Sequence, residues 1–135
     1  KQTFSRTYDD LPLYRVARAE AKNVAHAATF ASGGQGLGGN GFFSLAFLAR
    51  YDAVLALRGA AAYRYLHWEC GALAQRMYLE MTRRRHGSCA MGYFFAEETH
   101  ALLGAKGGPW ECLLWFGAGT PVEDTRIRTL PPPTR

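Results

Sequence analysis

Residues 60–94 read AAAYRYLHWECGALAQRMYLEMTRRRHGSCAMGYF, and the change of period inside this stretch decides the class of fold. Up to Arg85 the apolar residues recur at helical spacing. Leu66, Cys70, Leu73, Met77 and Met81 form one stripe with Tyr63, Ala74 and Tyr78 beside it, which predicts a long amphipathic helix over 60–85 with that stripe in the core. Arg83, Arg84, Arg85 and His86 then meet the negative end of the helix dipole, and Gly87 suits the left-handed conformation that stops a helix. A solvated helix end therefore explains the basic cluster, with a phosphate or partner contact as the alternative. From Ser88 to Phe94 the helical period is gone and the run is strand-like.

Working outward, a small helix is expected over 96–103, with Glu97 and Glu98 in its first turn and Gly104 as its stop. Residues 106–109 read as a turn and 110–116 as an apolar strand, which Gly117-Ala118-Gly119-Thr120-Pro121 should break. The tail beyond, with Pro131-Pro132-Pro133, is expected to be extended. On the other side, 42–49 reads as a buried strand and 51–59 as a short irregular or helical piece. Asp10-Leu11-Pro12 reads as a helix start, and Leu13, Val16, Ala17, Val24, Ala27 and Phe30 carry that helix to near Ser32. The glycine-rich run 33–41 follows and is expected to be a loop, since glycine loses the most freedom on ordering. It contains Gly-x-Gly-x-x-Gly at Gly34, Gly36 and Gly39. A dinucleotide fingerprint needs a strand before and a helix after, and here the order is inverted. Alternating helices and strands predict a mixed α/β (α+β) layer structure in one domain.

The formal charge is +5, and thirteen of the sixteen basic residues are arginine. Arginine grips phosphate oxygens in pairs, so the balance suits nucleic acid, a phosphate cofactor or an acidic partner protein. The arginines are dispersed and do not alternate with aromatics, so nucleic-acid binding is not expected to be the main role. Cys70, Cys89 and Cys112 are widely spaced with no histidine at ligand spacing, so neither a metal site nor a disulfide framework is expected. Buried thiols of this kind suit an intracellular, reducing compartment, with a mitochondrion or plastid as candidates after processing, because the chain opens at Lys1. No apolar run approaches the roughly 20 residues of a membrane span. His26, His67, His86 and His100 have no acid or nucleophile at motif spacing, and no catalytic residue is assigned.

Tyr63-Arg64-Tyr65, the helix with Glu69, Gly71 and Gln75, Gly87 to Phe94, Leu102-Leu103-Gly104 and Gly119-Thr120-Pro121 together resemble the carboxy-terminal half of the nitroreductase superfamily, most closely its SagB-type azoline dehydrogenase branch. The resemblance covers residues 42–128. It implies FMN bound between two chains and a hydride moved between flavin and substrate. It places Ala90, Met91 and Gly92 against the flavin ring and Arg126 and Arg128 at the phosphate. Nothing before Phe42 resembles the family's amino-terminal half. The chain is therefore expected to divide into an amino-terminal helix and linker (1–41), a half domain (42–120) and a tail (121–135). Its sheet is expected to be truncated and completed by a partner protein chain along the sheet edge. FMN is then expected to be absent or to depend on that partner, and the function to be that of an accessory or structural subunit with little activity. One half of a split FMN oxidoreductase is the enzyme alternative, and a basic RNA-associated subunit of a ribosome-like particle is the third.

Overall fold

A computed structural model of the chain describes residues 5–6, 10–15, 20–29 and 36–131. Among the described residues ten elements follow in order: β1 (Ser5–Arg6), β2 (Tyr14–Arg15), α1 (Ala21–Thr29), α2 (Leu37–Asn40), β3 (Phe43–Ala49), α3 (Tyr51–Arg58), α4 (Ala62–Arg83), β4 (Gly87–Met91), α5 (Ala96–Leu102) and β5 (Glu111–Gly119). The fold is a mixed α/β structure built on an antiparallel sheet of order β3-β5-β4.

β5 is the central strand and its two faces make two cores. Ala46 lies opposite Trp115 on β3, and Met91 lies opposite Trp115 on β4. These side chains pack with Cys112 against Ala25 and Ala28 of α1. On the other face Phe116 and Ala118 pack with Ala74, Met77, Tyr78 and Met81 of α4. Cys112 and Trp115 share a face although three residues apart, because the register slips between Phe47 and Leu48 and a bulge reverses the alternation there.

α4 forms as its periodicity predicts, but its buried line is Cys70 and Ala74, while Leu73 is half exposed. The stop also differs. Arg85, not Gly87, takes the left-handed conformation at φ 60°, and the His86 N–H reaches the Met81 carbonyl at 2.8 Å. That bond satisfies an end carbonyl and offsets the conformational cost at a non-glycine residue. Gly87 becomes the first residue of β4.

The amino-terminal reading is corrected in two places. Asp10-Leu11-Pro12 starts no helix but lies between β1 and β2, which pair antiparallel. Aspartate and proline serve turns as well as helix starts. The described helix begins at Ala21, and of the residues expected in its stripe Val16, Ala17 and Phe30 lie outside the described residues. Within the glycine run, Leu37–Asn40 is helical rather than a loop, and Gly34 lies outside the described residues. A Cβ on Gly38 would stand 2.8 Å from the Ala25 carbonyl oxygen, so glycine is what lets α2 lie against α1. The break expected at Gly117-Ala118-Gly119 is likewise absent, and β5 runs through it. A Cβ on Gly119 would come within 3.1 Å of Gly41, so these glycines mark a close backbone approach rather than a strand end.

The expectation that the sheet layer is truncated is corrected as well. α4 lies on one face, and α1, α2 and α5 lie on the other. Residues before Phe42 are tied into the sheet layer by polar contacts. The Gly38 N–H donates to Thr29 Oγ1, the Ser44 hydroxyl donates to the Gly38 carbonyl, and the Phe95 N–H donates to the Ala28 carbonyl. Both faces around β5 are therefore covered by the chain's own helices. Among the described residues no helix is long and apolar enough to cross a membrane.

Candidate functional site

β4 is an outer strand of the sheet, and its three residues expected at a flavin ring diverge in the structure. Ala90 packs toward Phe116, and its backbone N–H donates to the Tyr78 hydroxyl at 2.5 Å. Met91 is 3% exposed, its side chain in the core with Trp115. The strand ends there, so Gly92 lies beyond it, exposed, with nothing within 4 Å of where a Cβ would stand. Only Gly92 of the three leaves its backbone open to a ligand from the side where a side chain would be.

Gly92 opens into a cleft of about 430 Å³. Tyr51 and Asp52 enter it from the first turn of α3, Tyr63 and His67 from the start of α4, and Glu111 from the start of β5. Their convergence follows from local geometry. α3 ends at Gly59, whose φ of 75° lets the chain turn into α4. Tyr63 and His67 are four residues apart on α4 and so share a face, with rings 4.6 Å apart. Tyr51 meets Tyr63 edge to face at 6.1 Å.

Glu111 is half exposed, and its Oε2 stands 3.5 Å from His100 Nε2. That nitrogen is buried and has no hydrogen-bond partner among the described residues. Sequence reading found no acid for any histidine, yet α5 and the turn after it bring His100 to Glu111. The spacing of eleven positions between them matches no motif, so the pair had no signal. Behind it, Trp115 Nε1 donates to Thr99 Oγ1 at 3.0 Å, and Thr99 is fully buried. Burial pushes the neighbouring Cys112 thiol up to about 11, and burial also raises Cys70. Both are therefore neutral and poorly nucleophilic.

Arg126 and Arg128 lie on the exposed tail beyond β5 and do not line this cleft. Arg126 grips both oxygens of the Asp124 carboxylate, and its hydrogen bonds hold Asp124 below the ordinary carboxylate range. The basic cluster after α4 is similarly engaged: Glu80 accepts hydrogen bonds from Arg83 and Arg84. A second cleft, about 330 Å³, lies at the opposite end of β4, where Gly41, Gly87, Gly117 and Gly119 are among its lining residues. Among the described residues no group of three or more histidine, cysteine or acidic side chains could hold a metal ion.

The profile of the family described as "Nitroreductase family" matches residues 5–120. The chain is 32% identical over 79 residues to a protein of Methanocaldococcus jannaschii described as "Putative nitroreductase", covering 58% of this chain and 38% of that one. Its fold matches a crystal structure from Anabaena variabilis, titled as that of a "putative nitroreductase", with a TM-score of 0.73 and 23% identity, over 81% of this chain and 22% of that one. The chain thus spans well under half the length of either relative. These matches correct the reading of a carboxy-terminal half alone, because the profile begins at residue 5 and takes in α1 and α2. They also overturn the accessory or structural subunit, which rested on an amino-terminal segment foreign to the family. That segment instead supplies α1 and α2 on the Trp115 face of the sheet.

Proposed function

The chain belongs to the nitroreductase family, and from that membership we propose that it acts as an FMN-dependent oxidoreductase whose reacting centre adjoins the cleft at Gly92. The observation that carries this reading is the family match over residues 5–120. FMN is the cofactor the family implies, and its fit can be weighed on the residues present. Gly92 has open space around its backbone, so a flat ring could approach without a steric penalty. Arg128 is an exposed cation of the type that binds phosphate, and Arg126 is one whose guanidinium would have to leave the Asp124 carboxylate to do so. Ala90 fits less well, because its amide is already donated to Tyr78.

When bound, FMN supplies the two-electron redox chemistry. The chain's own contribution is position and proton inventory. Gly92 offers its backbone, and the rings of Tyr51, Tyr63 and His67 narrow the space beside it. The hydroxyls of Tyr51 and Tyr63, the imidazole of His67 and the carboxylates of Asp52 and Glu111 are the groups able to hold or pass a proton there.

The test is flavin retention by the purified chain, read from yellow flavin absorbance, followed by titration with FMN. Replacing Arg126→Ala and Arg128→Ala should each weaken binding by about 1–3 kcal/mol, the worth of one charge-assisted hydrogen bond to phosphate. A chain that neither carries flavin nor holds added FMN through gel filtration would overturn the reading.

A further inference from the structure

The cleft at Gly92 has a chemical character opposite to that of the chain around it. The chain carries +5, yet none of the described residues lining the cleft is lysine or arginine, while two are carboxylates, Asp52 and Glu111. Arg64, one residue from Tyr63, is turned away and lies 5.9 Å from the Trp68 ring. Asp52 belongs to no ion pair among the described residues. Glu111 Oε2 lies 3.5 Å from His100 Nε2, and the Glu111 side chain is half exposed.

The walls are aromatic. Tyr63 stands at their centre, edge to face with Tyr51 and tilted against His67. Aromatic faces carry negative quadrupole charge, so they attract an organic cation and the carboxylates reinforce that attraction. A neutral or anionic ligand gains the ring contacts only, and an anion also meets two like charges.

We propose that this cleft is a binding site for an ammonium-bearing organic molecule, held by the rings of Tyr51 and Tyr63 and by the carboxylates of Asp52 and Glu111. As the substrate end of a flavin site it rests on the function proposed above. Its preference for cations does not, because that can be measured on flavin-free chain.

The experiment is calorimetric titration of the full flavin-free chain with benzylammonium chloride, benzyl alcohol and sodium benzoate. Benzylammonium should bind about tenfold or more tighter than benzyl alcohol, the product of two modest charge contacts, and benzoate should not bind. Asp52→Asn with Glu111→Gln should abolish the preference while leaving benzyl alcohol binding in place. Both sites are substantially exposed, so the fold should tolerate these changes. Tyr63→Leu should weaken both ring probes. Equal affinity for cation and alcohol, or a preference that survives the double substitution, would overturn the proposal. Flavin content is read separately from absorbance. A chain that binds the cation but never flavin fails the cofactor reading alone, and a flavin-loaded chain indifferent to the cation fails this one alone.

Discussion

Thr99 shows how much of this protein's chemistry is decided one residue at a time. It is polar, fully buried and doubly bonded: its Oγ1 donates to the Phe95 carbonyl and accepts from the Trp115 indole, each at 3.0 Å. Thr99→Val keeps the shape and removes the acceptor, stranding the indole N–H in the core. That should cost about 1–3 kcal/mol in urea unfolding, with little change in circular dichroism. A loss well below this range would mean that Trp115 finds another partner. Nothing in the sequence marks Thr99, because a bond between two elements leaves no period along the chain. The His100–Glu111 contact is hidden for the same reason. The family resemblance singled out Ala90, Met91 and Gly92 alike, but that Ala90 and Met91 turn away into internal contacts depends on the end of β4.

At the scale of elements, α4 was the most legible because many repeats of one period average out local noise. Its last turn holds a second prediction. Hydrogen bonds from Arg83, then Arg84, lower the Glu80 carboxyl from 4.5 to about 2. A depressed folded-state value stabilises the fold fully above the unfolded value, near 4.5, and that contribution is lost as pH falls through about 2. Glu80→Gln should therefore flatten the acid dependence of thermal unfolding between these limits. Because the group is exposed, added salt should shrink the difference. Superimposable acid profiles for the two proteins would show that the pairing contributes nothing. β5 was legible only in part. Its apolar start announces a strand, but Gly117 and Gly119 carry it onward, since what they accommodate is the neighbouring backbone of Leu37 and Gly41. The helix expected from Asp10 failed because turn and cap chemistry use the same residues.

At the scale of the whole molecule, β5 is sandwiched, with Phe116 fully buried toward α4 and Trp115 3% exposed toward α1. Removing residues 1–29 should uncover Trp115 and Met91, side chains worth roughly 1.5–3 kcal/mol each when fully covered. The expected result is a lower melting temperature and red-shifted tryptophan emission. Trp68 and Trp110 are already exposed, at 62% and 42%, so the shift reports chiefly on Trp115. Unchanged emission would mean that α1 contributes no cover. The sequence by itself determined the mixed α/β class, the long helix and the family, because these are written in periods and in the order of short motifs along one chain. Tertiary structure alone decided that the amino-terminal segment is part of the sheet's cover. It alone gathered Tyr51, Tyr63, His67 and Glu111 at one cleft. The physical reason is that both outcomes depend on which faces meet across β5, and a bulge of one residue there reverses the faces without any local sign in the sequence.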